Sequence, residues 1–289
     1  MFKKILVPVD LPSISTEVVH QAALLARHFH SEIVLLHVVT PLSYPAGLFE
    51  KGHQLTEKDL HAEAVKGAKK DLDESLRPEL EGIAVKRLLL RGEPAREILR
   101  ATLDENVDLI AMASDGLGAI YRLLLGSVTA KVLHDSDCPM WISPRLDEAA
   151  PRDFGIRNVL CAIDLGAHSR TAISTAANIA NEFGAKLRLT HVTAGVEIYG
   201  PGGPRVVPEF KKELLDYATG EIAKLQAETG TSAEVIIESG NVHKLLAQVA
   251  KQTNADLLVI GRVPPGGHLG SDSNSYAIIR DSHVPVLSI

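Results

Sequence analysis

Two features of the chain have the composition of a ligand site. Ala113-Ser114-Asp115-Gly116-Leu117-Gly118 follows an apolar run, and after Ala119–Leu125 the residues Gly126-Ser127-Val128-Thr129 open an amphipathic stretch. Small residues let backbone approach a ligand closely. A helix beginning Gly-Ser points free amides and a partial positive charge at whatever lies ahead of it. Ser127 and Thr129 add hydroxyl donors, so the stretch can cradle an oxyanion or phosphate. The plainer alternative is a loop with Ser127 as helix cap. The second feature is Asp10, reached through Pro8 and Val9 at the end of an apolar run and followed by Leu11-Pro12-Ser13. A carboxylate there can hold ribose hydroxyls or cap the next helix.

The chain says the same thing twice. Val7-Pro8-Val9-Asp10 recurs as Cys161-Ala162-Ile163-Asp164, and Leu36-His37-Val38-Val39 as Leu189-Thr190-His191-Val192-Thr193. Arg91-Gly92-Glu93 corresponds to Ser239-Gly240-Asn241, Val107–Met112 to Ala255–Ile260, and Cys138-Pro139-Met140 to Val284-Pro285-Val286. The period is too long for a solenoid unit. It gives two copies of one domain, 1–145 and 156–289, joined by a linker at 146–155 that contains Pro151 and Gly155.

Apolar runs without alternation predict strands buried on both faces of a parallel sheet. In the first copy these are Ile5–Val9, Glu32–Val39, Ile83–Leu90, Leu109–Ala113 and Met140–Ser143. Helical spacing covers Ser13–His30, with Ser13 or Ser15 as cap, then Leu55–Leu80, Pro94–Glu105 and Ser127–Asp135. The second copy has strands at Val159–Ile163, Lys186–Val192, Ala233–Glu238, Leu257–Gly261 and Val286–Ile289. Its helices are Ser169–Phe183, Pro208–Glu228, Val242–Thr253 and Ser273–Asp281. The fold class is therefore α/β: two repeated doubly wound domains, each a five-stranded parallel sheet flanked by helices. Ligands of such sheets bind beyond the carboxyl ends of the strands, here after Asp10, Val38 and Met112. The Gly- and Pro-rich segments Thr40–Gln54 and Ala194–Val207, with Tyr44, Phe49 and Tyr199, read either as lids or as surface connections.

Composition narrows the function classes. A net charge of −6 over 289 residues leaves no basic footprint for nucleic acid or membrane. No apolar run has the length of a membrane span, and Phe2-Lys3-Lys4 leads straight into a strand without a cleavage site. Two cysteines, Cys138 and Cys161, cannot staple either domain, so a cytoplasmic location is expected and Cys138 reads as a small buried residue. There is no Gly-Lys-Ser/Thr phosphate loop of the motor type and no repeated Ser-His-Asp or Cys-His arrangement, so no catalytic residue is assigned. His53, Glu57 and His61 would share a helix face at metal-ligating spacing, or simply form a solvated face. His37 and His191 read as hydrogen-bonded core histidines.

These residues resemble the universal stress protein family, specifically its tandem members. Nucleotide-binding members carry Gly-x-x-Gly, nine residues, then Gly-Ser or Gly-Thr. Here Gly116, nine residues, Gly126 and Ser127 match, with Ala113 in place of the leading glycine. The resemblance spans the whole chain and implies an adenine-nucleotide α-hydrolase-like fold holding an adenine nucleotide, usually ATP. By that carry-over Asp10 would hold the ribose and the Val38 backbone would meet adenine. Met112, Ala113 and Gly116 would line the phosphate turn, and Gly126, Ser127, Val128 and Thr129 would bind phosphates. Asp115 lies in that loop, where it repels a triphosphate unless Mg²⁺ bridges them. The first site is thus expected either to need Mg²⁺ for ATP or to prefer a less charged adenine ligand.

The second site, Asp164, Val192, Gly261 and Ser273, reads as degenerate. Pro264 replaces a loop glycine, the intervening segment is shorter, and Asp272 stands beside Ser273 at the cradle. The favoured reading is a regulatory nucleotide-binding protein with no turnover or slow ATP hydrolysis. The alternatives are a related hydrolase or adenylyl-transfer enzyme, and a sensor of another metabolite or a metal. The resemblance also implies an internal pseudo-dimer through the last strands, Met140–Ser143 and Val286–Ile289, and the possibility of a homodimer.

Overall fold

The computed structural model describes residues 1–11, 14, 16–40, 57–114, 125–144, 155–193, 197–200, 203–206, 208–262 and 274–289. It forms two compact units, Met1–Arg122 with Gly126–Met140, and Leu123–Leu125 with Trp141–Ile289. The first follows β1 (Lys4–Pro8), α1 (Thr16–Phe29), β2 (Glu32–Val39), α2 (Glu57–Glu74), β3 (Val85–Arg91), α3 (Pro94–Asp104), β4 (Leu109–Ala113) and α4 (Ser127–Asp135), and β5 (Met140–Ser143) begins at its edge. Its strands pair in parallel in the order β4-β1-β2-β3. Just ahead of β5, the Pro139 carbonyl accepts the Ile110 N–H at 3.0 Å. Ile5, Leu6, Ile33, Leu35, Leu36, Leu109 and Ile110 have no exposed surface. Burying each such side chain stabilises the fold by roughly 1.5–3 kcal/mol, which is why unbroken apolar runs settle as strands covered on both faces.

The second unit repeats the plan. It contains β6 (Asn158–Ala162), α5 (Ser169–Phe183), β7 (Lys186–Thr193), β8 (Glu197–Gly200), β9 (Gly203–Val206), α6 (Pro208–Thr229), β10 (Glu234–Ser239), α7 (Val242–Gln252), β11 (Leu257–Ile260), α8 (Asn274–Asp281) and β12 (Val286–Ser288). The sheet order is β10-β7-β6-β11-β12, and its pairings are parallel. The chain steps outward from β6 to β10, then returns to β11 and β12. Right-handed crossovers therefore put α5 and α6 on one face and α7 and α8 on the other. Strand order reverses between β6 and β11, as it does between β1 and β4, which sets the crevice at those carboxyl ends.

One repeated residue proves to be a sheet clamp. Asp108 Oδ2 accepts the Lys3 and Lys4 amides at 2.8 and 2.9 Å, and Asp256 Oδ2 accepts those of Arg157 and Asn158, both at 2.9 Å. Each aspartate thus ties the start of the first strand of its sheet to the strand beside it.

Several elements depart from the sequence reading. The helix expected over Leu55–Leu80 runs Glu57–Glu74 and then gives way to turns. Leu72, Leu76 and Leu80 are all buried and continue the helical spacing, but Leu76 takes φ +56°, which no α-helix accommodates. The supposed loop Ala194–Val207 contains the antiparallel pair β8–β9, registered from Glu197↔Val206 to Gly200↔Gly203. α1 runs from Thr16, three residues after the expected Ser13, and α8 is described from Asn274, directly after the expected Ser273, which lies outside the described residues. Ser13, Ser15, the 40s segment and nearly all of the 146–155 linker lie outside the described residues.

Candidate functional site

The first candidate site is assembled at the carboxyl ends of β1, β2 and β4. Pro8 closes β1 half-buried, Val9 follows, and Asp10 stands exposed beyond them. The Val9 N–H donates to the Leu36 carbonyl at 2.8 Å, and the His37 Nδ1–H donates to the Val9 carbonyl at 2.9 Å, so β1 and β2 hold this corner together. Val38 is half-buried at the end of β2, while Met112, 7% exposed, and half-buried Ala113 close β4. His191 makes the same bond to the Ile163 carbonyl at 2.8 Å. Both histidines are thus half-buried members of the strand framework.

The start of α4 differs from the plainer alternative. Gly126, not Ser127, is the cap residue, at φ −54° and ψ 137°, and it contributes no side-chain acceptor. Ser127 is exposed and Val128 half-buried, so the first-turn amides face forward without a capping oxygen. Thr129 is different: it is 6% exposed, and its hydroxyl donates to the Ala113 carbonyl at 2.9 Å. That hydroxyl fixes α4 against β4 and is committed to the protein. The Gly126 N–H donates to the Ser114 carbonyl at 2.7 Å, closing the loop between them. Asp115 and Gly116 lie outside the described residues.

α4 is further held by a residue the sequence reading left without a role. Glu93 caps α3, accepting the Ala95 and Arg96 amides, and receives Lys131 Nζ of α4 at 3.3 Å. The Arg96 amide, foremost, keeps the Glu93 carboxyl below its ordinary range. Asn241 caps α7 in the same place, accepting the Lys244 amide at 3.2 Å. There the tether to the last helix is His243 on Asp281, which Arg280 also contacts.

Asp281 is held below the usual carboxylate range by Arg280 first and His243 after it. A carboxyl whose folded pKa is depressed stabilises the fold above its unfolded pKa and loses that contribution as pH falls through the folded value. The expected result is a loss of at most about 1 kcal/mol below about pH 4, given the partial exposure of the pair. The Asp281→Asn variant should lack that portion of the slope when urea midpoints are followed from neutral to acid pH; an unchanged slope would refute it.

The second candidate site is an open crevice of about 200 Å³. Asp164 is exposed at its mouth, and its Oδ1 accepts the Gly166 amide at 2.8 Å and the Ser169 hydroxyl at 2.9 Å. Between them Leu165 takes φ +64°, a left-handed conformation that a leucine rarely adopts. Asp10 and Ser15 stand at the same spacing in the first repeat. Val192 lines the crevice. Gly261 also lines it, but a Cβ there would lie 3.3 Å from the Cβ of His168, so this glycine serves the close approach of α5. Ser273 lies outside the described residues; Asn274 and Ser275 at the start of α8 line the crevice instead. Sequence reading missed these two, together with Ser169, Thr190 and Leu246. The Asp10–Ser15 and Asp164–Ser169 spacing was the available signal for Ser169.

The remaining sequence candidates fall elsewhere. Glu57 and His61 lie four apart on α2, whereas His53 is outside the described residues. Among the described residues no three His, Cys, Asp or Glu side chains gather into a possible metal site, and no helix is long and apolar enough to cross a membrane. Cys161 is buried, which pushes its thiol pKa far up. Cys138 is half-buried rather than buried, with its Sγ 3.5 Å from the Val107 carbonyl.

Comparison with known proteins agrees with this architecture. The universal stress protein family matches residues 1–144 and again 155–289. A universal stress protein of Mycolicibacterium smegmatis is 27% identical over 289 residues, covering 99% of this chain and 96% of that protein. One from Methanocaldococcus jannaschii is 31% identical over 146 residues, 49% of this chain and 82% of its own length. Among solved structures, a universal stress protein from Archaeoglobus fulgidus is 25% identical with a TM-score of 0.68, covering 99% of this chain and 97% of that one. Two successive matches that take in almost every residue make the chain a tandem member of the universal stress protein family.

Proposed function

We propose that this is a stress-response regulatory protein whose first repeat binds an adenine nucleotide, ATP or a less charged relative, and whose second repeat has lost that ligand. The observation that carries the reading is the start of α4, whose glycine cap leaves forward-facing amides beside exposed Ser127. An anion at such a helix start gains both hydrogen bonds and the helix dipole. Asp10 would accept the ribose hydroxyls, and the Val9 and Val38 backbone would border the base. The Ser127 and Val128 amides would take the phosphates, while Thr129 keeps Ala113 and α4 in place. Asp115 sits in the same loop by sequence, and a divalent ion between it and the phosphates would offset their repulsion.

Calorimetric titration of the full chain with ATP, ADP and AMP, each with and without EDTA, tests this. The expected outcome is one nucleotide site per chain, with EDTA weakening ATP by at least about tenfold (about 1.4 kcal/mol) and leaving AMP unchanged. Two equal ATP sites per chain would overturn the asymmetry, and tight ATP binding in EDTA would overturn the role given to the metal.

A further inference from the structure

The two repeats differ at the amino ends of their strands, away from both candidate sites. In the first repeat Arg27, in the last turn of α1, donates from Nη2 to the Glu79 carbonyl at 2.8 Å and reaches the Glu81 carbonyl at 3.4 Å. It thereby ties α1 to the turn that leads into β3. Matching contacts identify its counterpart. Ser31 N–H bonds the Ala26 carbonyl as Ala185 N–H bonds that of Ala180, and Glu32 N–H bonds Lys3 as Lys186 N–H bonds Arg157. Phe29 and Phe183 close the two helices, so Arg27 corresponds to Asn181. The turns match as well. Gly82 precedes Lys86, which pairs with Val34, at the spacing by which Gly230 precedes Glu234, which pairs with Arg188. Both glycines have positive φ, +76° and +64°. Glu81 therefore corresponds to Thr229, the last residue of α6.

An asparagine is too short to bridge, and a groove of about 500 Å³ lies open between α5 and the α6–β10 turn. Ser174, Asn178 and Asn181 of α5 form one wall, where the first repeat has the larger His20, Leu24 and Arg27. Thr229, Thr231 and Ser232 form the other. Asn178, Asn181 and Ser232 are exposed, so their polar groups are open to a ligand. Among the described residues no charged side chain lines the groove. Its polarity comes from α6, a helix of 22 residues that ends there. The last carbonyls of a helix lack intrahelical partners and carry partial negative charge. Carbonyl and amide oxygens without a carboxylate suit a weakly hydrated, delocalised cation that donates several N–H groups in one plane. An anion would meet the wrong end of the helix dipole, and a neutral polyol would gain nothing from it.

We infer that the groove between α5 and the end of α6 binds a guanidinium group supplied from outside the chain, in the place that Arg27 fills from within in the first repeat. Its source is a free arginine-like molecule or the arginine side chain of a peptide. The site is independent of the nucleotide reading, because Ala185 and Ala233, which also line it, lie at the amino ends of β7 and β10.

The test follows amide chemical shifts of the full chain by NMR. Propylguanidine and propylamine, equal in charge, are titrated at constant ionic strength. Propylguanidine should shift the Asn178, Asn181 and Thr231 resonances saturably at millimolar concentration and bind at least about fivefold more tightly than propylamine, whose ammonium lacks the planar fork. Asn181→Arg should fill the groove from within, abolish those shifts and raise the melting temperature by about 1–3 °C. Asn178→Leu, which installs the residue type of Leu24, should weaken propylguanidine at least about fivefold by removing an amide partner. Acetylarginine amide and free arginine separate the sources. Equal affinity assigns a peptide side chain, and arginine binding at least about tenfold more tightly assigns a free molecule. No saturable shift with propylguanidine, equal binding of propylamine, or full binding in Asn181→Arg would each overturn the inference. Failure of the ATP titration would count against the first-repeat reading and leave this one standing.

Discussion

A Gly126→Asp variant is expected to be more stable than the parent and unable to hold a nucleotide in its first repeat. Gly126 caps α4 with φ −54° and ψ 137°, torsions an aspartate adopts without strain. Its carboxylate would accept first-turn amides that lack a capping oxygen, and the loss of glycine freedom in the unfolded chain adds to the gain. Together these give about 0.5–1 kcal/mol. The same carboxylate occupies the donors an oxyanion needs and repels it. ATP affinity should fall on the order of 100-fold, about 2.7 kcal/mol. Thermal melting and calorimetry on one preparation separate the two effects. Undiminished ATP binding in this variant would exclude the start of α4 as the phosphate site. The second repeat carries Asp272 near the matching place in its sequence, which is part of why it is proposed to have lost the nucleotide.

Among the described glycines, Gly92→Ala should be the most damaging alanine substitution. Gly92 sits between β3 and the Glu93 cap at φ +150°, and an added Cβ would lie 2.7 Å from Glu97 Oε1, 2.9 Å from Cγ and 3.0 Å from Cδ. Glu97 is 6% exposed and paired with Arg100 at 2.6 Å, so it cannot swing aside cheaply. Backbone strain and overpacking together predict a loss of about 2–4 kcal/mol, read from urea midpoints. Gly240 is its counterpart, at φ +142°, but there the contact is a single methyl, Leu245 Cδ1, at 3.3 Å. Gly240→Ala should therefore cost about 1–2 kcal/mol. Equal losses at the two positions would show that Glu97 is not the obstacle.

Strands and repeats were legible because their cause is local. A run such as Ile33–Leu36 is apolar at every position and can only settle where both faces are covered. Pro94 announced the first turn of α3 for a similarly local reason, its fixed φ. What escaped depends on geometry that spacing does not carry. The leucines at 72, 76 and 80 keep helical spacing through a left-handed residue, so the end of α2 was invisible. β8 and β9 lie in a Gly- and Pro-rich stretch whose pairing needs tertiary support. Of the candidate residues, Asp10 and Val38 could be placed at strand ends from the repeat, and Gly126 at a helix start from its Gly-Ser step. Thr190 could not, because only the register of β7 on β6 reveals which face it shares. Glu93 and Asn241 stood in the repeat alignment all along, yet their capping role needed the helix start to be fixed.

The two bonds at the base of α4 have a consequence for how this family of sites diversifies. Ser114 O is joined to the Gly126 amide, and Ala113 O to the Thr129 hydroxyl, so the mouth of the intervening segment is stapled shut from within the framework. Closure entropy grows slowly with length, by about 0.6 kcal/mol for each doubling. Residues could then be inserted, deleted or exchanged between the two anchor points while the helix keeps its station. On the proposed reading, exchanges between Ser114 and Gly126 would change which ligand is held while these two bonds keep α4 in place.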